Sequence, residues 1–143
     1  MSDFTVFDVA FPPEAKQRVI VNTDAKNEAD DQYAIVHAVL TPSFDLHGII
    51  PAHYGPLKTA TSLQESHDET VKLLRLMGLE GEVRVEDGAP RAIPDESTPV
   101  DSPGARLIID AAMKNDKRPL HVAFYGPLTD MASALLLEPK IQD

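Results

Sequence analysis

The chain has 143 residues, of which 43% are hydrophobic, and a formal net charge of −10. That length suits one domain with a sizeable core, and the charge excludes a nucleic-acid or anionic-membrane surface, because phosphate binding needs clustered Lys and Arg. The lack of cysteine excludes a disulfide framework, a thiolate nucleophile and a zinc knuckle.

The N-terminal segment, Met1 to Ala10, carries Asp3 and Asp8 without a basic start or a continuous apolar run, so it does not read as a secretory signal. No apolar stretch approaches the ~20 residues of a membrane span, and a soluble, cytoplasmic protein is expected. After Pro12-Pro13, Val19 to Val21 reads as a buried first strand and Asp30 to Leu40 as a helix ended by Thr41-Pro42. Few polar residues interrupt that helix, so it is expected to be well buried, with His37 as a hydrogen-bonded packing residue. Leu46 to Ile50 forms a second strand leading into His53 and Tyr54, and Ser62 to Met77 a long amphipathic helix stopped at Gly78. Glu82 to Glu86 alternates as a short strand, and Gly88 to Pro103 is a long proline-rich loop of the kind that is usually functional or mobile. Arg106 to Lys114 is a third helix, Leu120 to Phe124 a fourth strand, and Pro127 to Leu137 a fourth helix opened by Gly126-Pro127. The alternation predicts an α/β domain over residues 1–143: an open, mostly parallel, Rossmann-like sheet with helices on both faces.

Chemistry concentrates in the run from Asn22 to Gln32, where Asp24, Glu28, Asp30 and Asp31 leave the end of an apolar strand in one short loop. The carboxyl edge of a parallel sheet is where open α/β folds keep their ligands. Three carboxylates within ~5 Å would repel by roughly 3 kcal/mol per pair at an effective dielectric near 20, so Asp24, Asp30 and Asp31 are expected to converge on something positive. Oxygen ligands favour calcium or magnesium over zinc or copper. Acidic residues also decorate ordinary helix N-termini; the third carboxylate at the strand tip favours a metal or substrate site. Lys26 reads as a solvated loop lysine, and Asn27 as a residue that shapes the turn.

Two segments resemble the nucleoside hydrolase family. Asn22-Thr23-Asp24 through Asp30-Asp31 is similar to that family's Asp-x-Asp-x-x-x-Asp-Asp opening, and Gly126-Pro127-Leu128-Thr129-Asp130-Met131-Ala132 to its Gly-Pro-Leu-Thr-Asn-x-Ala. The resemblance covers nearly all of this chain but only about the first half of what the family needs, so it implies a divergent branch and a fragment or truncated product, not a competent catalyst alone. It implies calcium-dependent hydrolysis of a ribonucleoside's N-glycosidic bond. Asp24 would be metal ligand and general base, Asp31 and the Tyr125 carbonyl further metal ligands, and Asp30 a partner for a ribose hydroxyl. His53 would contact base or sugar. The chain departs from the pattern in several places: five residues separate Asp24 from Asp30 rather than three, which brings Glu28 within reach of the metal site. Asn22 replaces the first Asp, Pro56 follows Gly55 where a ribose-binding Asn is usual, and Asp130 replaces the Asn after Leu-Thr.

A small-molecule nucleoside is the expected partner, with homo-oligomers formed through uncovered apolar surface. Two other functions compete. A haloacid dehalogenase-like magnesium phosphatase would need a nucleophilic carboxylate where Asn22 stands, and a non-catalytic metal- or sugar-binding module would need no complete catalytic set.

Overall fold

The computed structural model describes residues 10–142, so the acidic N-terminal segment, apart from Ala10, lies outside the described residues. Among them the chain orders as β1 (Gln17–Thr23), α1 (Asp30–Leu40), β2 (Phe44–Pro51), α2 (Ser62–Leu76), α3 (Pro103–Ala112), β3 (Leu120–Phe124) and α4 (Thr129–Leu137). The three strands form a parallel sheet in the order β2-β1-β3. Register runs from Gln17 opposite Phe44 to Thr23 opposite Pro51 on one side of β1, and from Arg18 opposite Leu120 to Asn22 opposite Phe124 on the other.

Side-chain alternation along β1 divides the core into two layers, as a period of two requires. Val19 and Val21 pack with Ile35 and Ala38 of α1, Ile49 of β2 and Leu74 of α2. Ile20 points the other way, with Ile50, Ala105 and Ile108 of α3, and Ala134 of α4. Helices therefore cover both faces, and the expected α/β architecture holds. No helix among the described residues is long and apolar enough to cross a membrane.

Four local expectations are corrected. The segment from Glu82 to Glu86 forms no regular strand: Val85 makes a single parallel bridge to Ile49, because a turn at Leu79–Glu82 occupies its start and Gly88 is already tied to the Pro51 carbonyl. Helix α3 begins three residues earlier than expected, since Ser102 accepts from the Ala105 N–H (3.0 Å) as an N-cap and Pro103 occupies the first turn. Helix α4 starts at Thr129 instead of Pro127. Helix α1 is buried along one stripe only, because it lies on the outside of the sheet: Tyr33 is 79% exposed. His37 is exposed as well, its ring edge-on to Phe44 at 6.2 Å.

The amino end of the sheet is clamped by arginines. Buried Arg18 donates to the Arg118 carbonyl (3.1 Å) and the Ala111 carbonyl and lies 3.6 Å from Asp116. Arg118 reaches Asp116 (2.6 Å) and Asp45 (2.8 Å), and its hydrogen bonds hold the Asp116 carboxyl well below the usual carboxylate range. The opposite, carboxyl end is left to the acidic loop.

Candidate functional site

The chain leaves β1 toward β2 by way of α1 and later returns to the far side of β1 as β3, so the carboxyl ends of β1 and β3 bound a topological switch point. Asp24 is the first residue beyond β1. Its carbonyl accepts from the Asn27 N–H (2.9 Å), closing a turn whose third residue, Lys26, has φ +95°. That position favours Gly or Asn, so a lysine there holds local strain. The turn folds Asp24 back under the strand end, where it is 7% exposed. On the β3 side, the Tyr125 N–H donates to the Asn22 carbonyl (2.9 Å), and Gly126 lies so close that an added Cβ would meet the Asp24 Cγ at 3.2 Å. Gly126 is thus needed for close approach to the acidic residue, beyond its part in opening a helix.

Asp31, 3% exposed, accepts a hydrogen bond from the Thr23 hydroxyl. Burial raises its pKa, while that bond and the Asp24 backbone N–H draw it back down. The Asp24 carboxyl is pushed up to about 6 by burial and then by the Asp31 charge, and no cation offsets either shift. Two desolvated carboxylates therefore lie at this strand end with no cation to offset their charge, and the Glu28 charge raises both further. Asp30 does not join them. Successive helix residues point ~100° apart, so with Asp31 turned inward Asp30 is exposed, and among the described residues no group of three or more acidic or histidine side chains is gathered to hold a metal ion. The expected three-way convergence is a buried pair with Asp30, and likewise exposed Glu28, at its rim.

His53 lies at the end of the path from β2 and is 6% exposed. Its Nδ1 accepts from the Gly55 N–H (3.1 Å), which leaves the proton on Nε2, 3.0 Å from the Thr129 hydroxyl. Burial lowers its pKa, so the ring is held neutral. Both nitrogens are engaged within the chain, which makes His53 a tie between β2 and the start of α4.

Sequence reasoning did not anticipate the role of Asp130. Its buried carboxylate accepts from Asn22 Nδ2 (3.1 Å), the Ala89 N–H (2.8 Å) and the Ser102 hydroxyl (2.7 Å). One side chain thus joins β1, the start of the proline-rich loop, the cap of α3 and the first turn of α4. The signal was present as the two positions, Asn22 and Asp130, at which the sequence departs from the motifs it resembles, and the structure brings their side chains into contact.

The fold and the site together define an open α/β domain with two buried carboxylates, Asp24 and Asp31, at its switch point. The chain is similar in structure to a nucleoside hydrolase-related hypothetical protein from Saccharophagus degradans that is associated with carbohydrate metabolism, with TM-score 0.59 and 24% identity. The match covers 89% of this chain and 34% of that one, so the chain spans about a third of that protein's length. At this identity the likeness shows a shared fold. No protein-family profile and no curated protein matches the chain.

Proposed function

We propose that this chain carries the base-bearing part of a calcium-dependent N-glycosidase that cleaves a ribonucleoside into ribose and free base. The observation that supports this most is the buried Asp24–Asp31 pair, with Asp24 pushed up to about 6, where a general base works best near neutral pH. The donor set fits a hard cation: it is all oxygen and doubly negative, and neither carboxylate is paired with a cation of the chain. Asp24, Asp31 and the Tyr125 carbonyl would hold the ion, with the rest of its ~6–8 oxygens supplied by water, sugar hydroxyls or segments beyond this chain. Calcium so bound supplies a water of lowered pKa and a site for vicinal hydroxyls.

Asp24 takes the proton from the attacking water, and Asn27 Nδ2, 3.3 Å from Asp24 Oδ2, steadies the carboxylate that does so. Asp30, exposed at the rim, accepts from a ribose hydroxyl. His53 keeps the first turn of α4 against the sheet, so that Gly126 and Tyr125 stay beside Asp24. The phosphatase alternative fares poorly, because the residue at its nucleophile position, Asn22, is fully buried with its amide bonded to Asp130. Calorimetric titration with calcium tests the ion site. Heat of binding that disappears in both Asp24→Asn and Asp31→Asn is expected, whereas equal binding by all three proteins would overturn it.

A further inference from the structure

The loop after β2, residues 54–61, is folded over the acidic loop and fastened at both ends by one carboxylate. Glu65, in the first turn of α2, accepts from the Tyr54 hydroxyl (2.7 Å) and from the Thr59 and Thr61 hydroxyls (2.9 Å each). Those bonds hold Glu65 below its ordinary pKa, and burial with the Glu65 bond pushes Tyr54 up to about 12. The loop tip carries Leu57, 99% exposed, followed by Lys58. Although Lys58 is exposed, its Nζ is committed: it lies 2.6 Å from Asn27 Oδ1 and 3.5 Å from the Asn27 carbonyl.

An ammonium only donates, so Lys58 requires Asn27 to present its amide oxygen outward, and the amide NH₂ must then face Asp24. The observed bond from Asn27 Nδ2 to Asp24 Oδ2 has this sense. We infer that Lys58 is a positioning residue that acts through Asn27 on the Asp24 carboxylate, coupling the β2–α2 loop to the site. The inference rests on the ion-binding function proposed above. It explains why a lysine borders an anionic site without neutralising it: its charge is directed at an amide and not at either buried carboxylate.

Charge and position make opposite predictions for Lys58→Met. Removing a cation near the pair should tighten calcium by Coulomb attraction alone, whereas loss of the Asn27 alignment should weaken it by about tenfold, the lower end of what losing a partner behind a metal ligand costs. Calcium titrations of the wild-type chain, Lys58→Met, Lys58→Arg, Asn27→Leu and Lys58→Met/Asn27→Leu decide between them. Weaker binding in Lys58→Met, recovery in Lys58→Arg and no further loss on adding Lys58→Met to Asn27→Leu are expected. Unchanged or tighter binding in Lys58→Met, or the same loss in the Asn27→Leu background, would overturn the inference.

NMR of the Asn27 side-chain NH₂ gives a second readout that needs no calcium. Its solvent exchange should quicken about fivefold in Lys58→Met, as loss of a modest hydrogen bond implies, and return toward wild type in Lys58→Arg. Identical exchange in wild type and Lys58→Met would refute the role of Lys58. If the wild type binds no calcium, the ion-binding function fails, and the Asn27 exchange still decides the positioning role.

Discussion

Replacing Asp24 by Asn should stabilise the protein at high pH and not at low pH. The carboxyl is pushed up from an ordinary 3.8 to about 6 in the folded chain, so between those values the native state holds a proton that the unfolded chain has released. Stability from that proton is complete below about pH 3.8 and is lost as pH rises through about 6, because stability falls wherever the native state binds more protons. The difference corresponds to about 3 kcal/mol at ~1.36 kcal/mol per pH unit. An Asn side chain has the same shape, keeps an oxygen for the Asn27 amide and removes the repulsion from Asp31. Urea unfolding of wild type and Asp24→Asn at pH 4 and pH 8, without calcium, should give similar midpoints at pH 4 and a variant more stable by up to about 3 kcal/mol at pH 8. A variant equally or less stable than wild type at pH 8, or one with the same gain at both pH values, would refute the claim that Asp24 is a strained, uncompensated carboxylate.

Asn22→Asp should place two carboxylates about 3 Å apart and cost at least ~3 kcal/mol at pH 8, while Asn22→Asp/Asp130→Asn should recover to within about 1 kcal/mol of wild type; a double variant no better than the single would show that the pair does not act as a unit. Lys26→Gly should stabilise by up to about 1 kcal/mol through relief of the positive φ, net of the greater backbone entropy of glycine and of a long ion pair to Glu69 (3.7 Å) in which the lysine is half exposed; thermal unfolding reads the change, and a loss of stability would mean that the turn is not strained. Within the described residues β3 has one unpaired edge, and a cavity of about 440 Å³ near it is lined by Leu120, Val122 and Met131 together with the charged Asp116 and Arg118. Self-association of the 143-residue chain at micromolar concentration is therefore expected, and a monodisperse monomer in sedimentation velocity would contradict it.

What the sequence disclosed follows from which interactions are local. Helix α1 and strand β3 have the bounds expected from apolar runs and their flanking breakers, Asp30–Leu40 and Leu120–Phe124. Strand β1 extends beyond its apolar centre because Arg18 and Asn22 are bonded to Ala111, Arg118 and Asp130, 93 or more residues away, which no local pattern reports. The segment around Val85 alternates as a strand would, yet its pairing depends on the turn before it and the bend after it. At the site, the strand-end position of Asp24 was legible, and so was the presence of two acidic residues at a helix start. Which of Asp30 and Asp31 turns inward depends on how α1 sits on the sheet. His53 illustrates the same limit: its place after β2 was readable, but its bonds to Gly55 and Thr129 depend on the tertiary approach of α4.

The most direct measurement is release of free base from inosine and uridine by the longest form of the protein that contains this chain, with calcium and with chelator, for wild type and Asp24→Asn. Turnover that requires calcium and falls by a factor on the order of 10³ or more in Asp24→Asn is expected, since one change removes both a ligand charge and the base. Absence of base release in the wild type, or turnover that survives chelator or the Asp24→Asn substitution, would contradict the assignment of the Asp24–Asp31 pair as the N-glycosidase site.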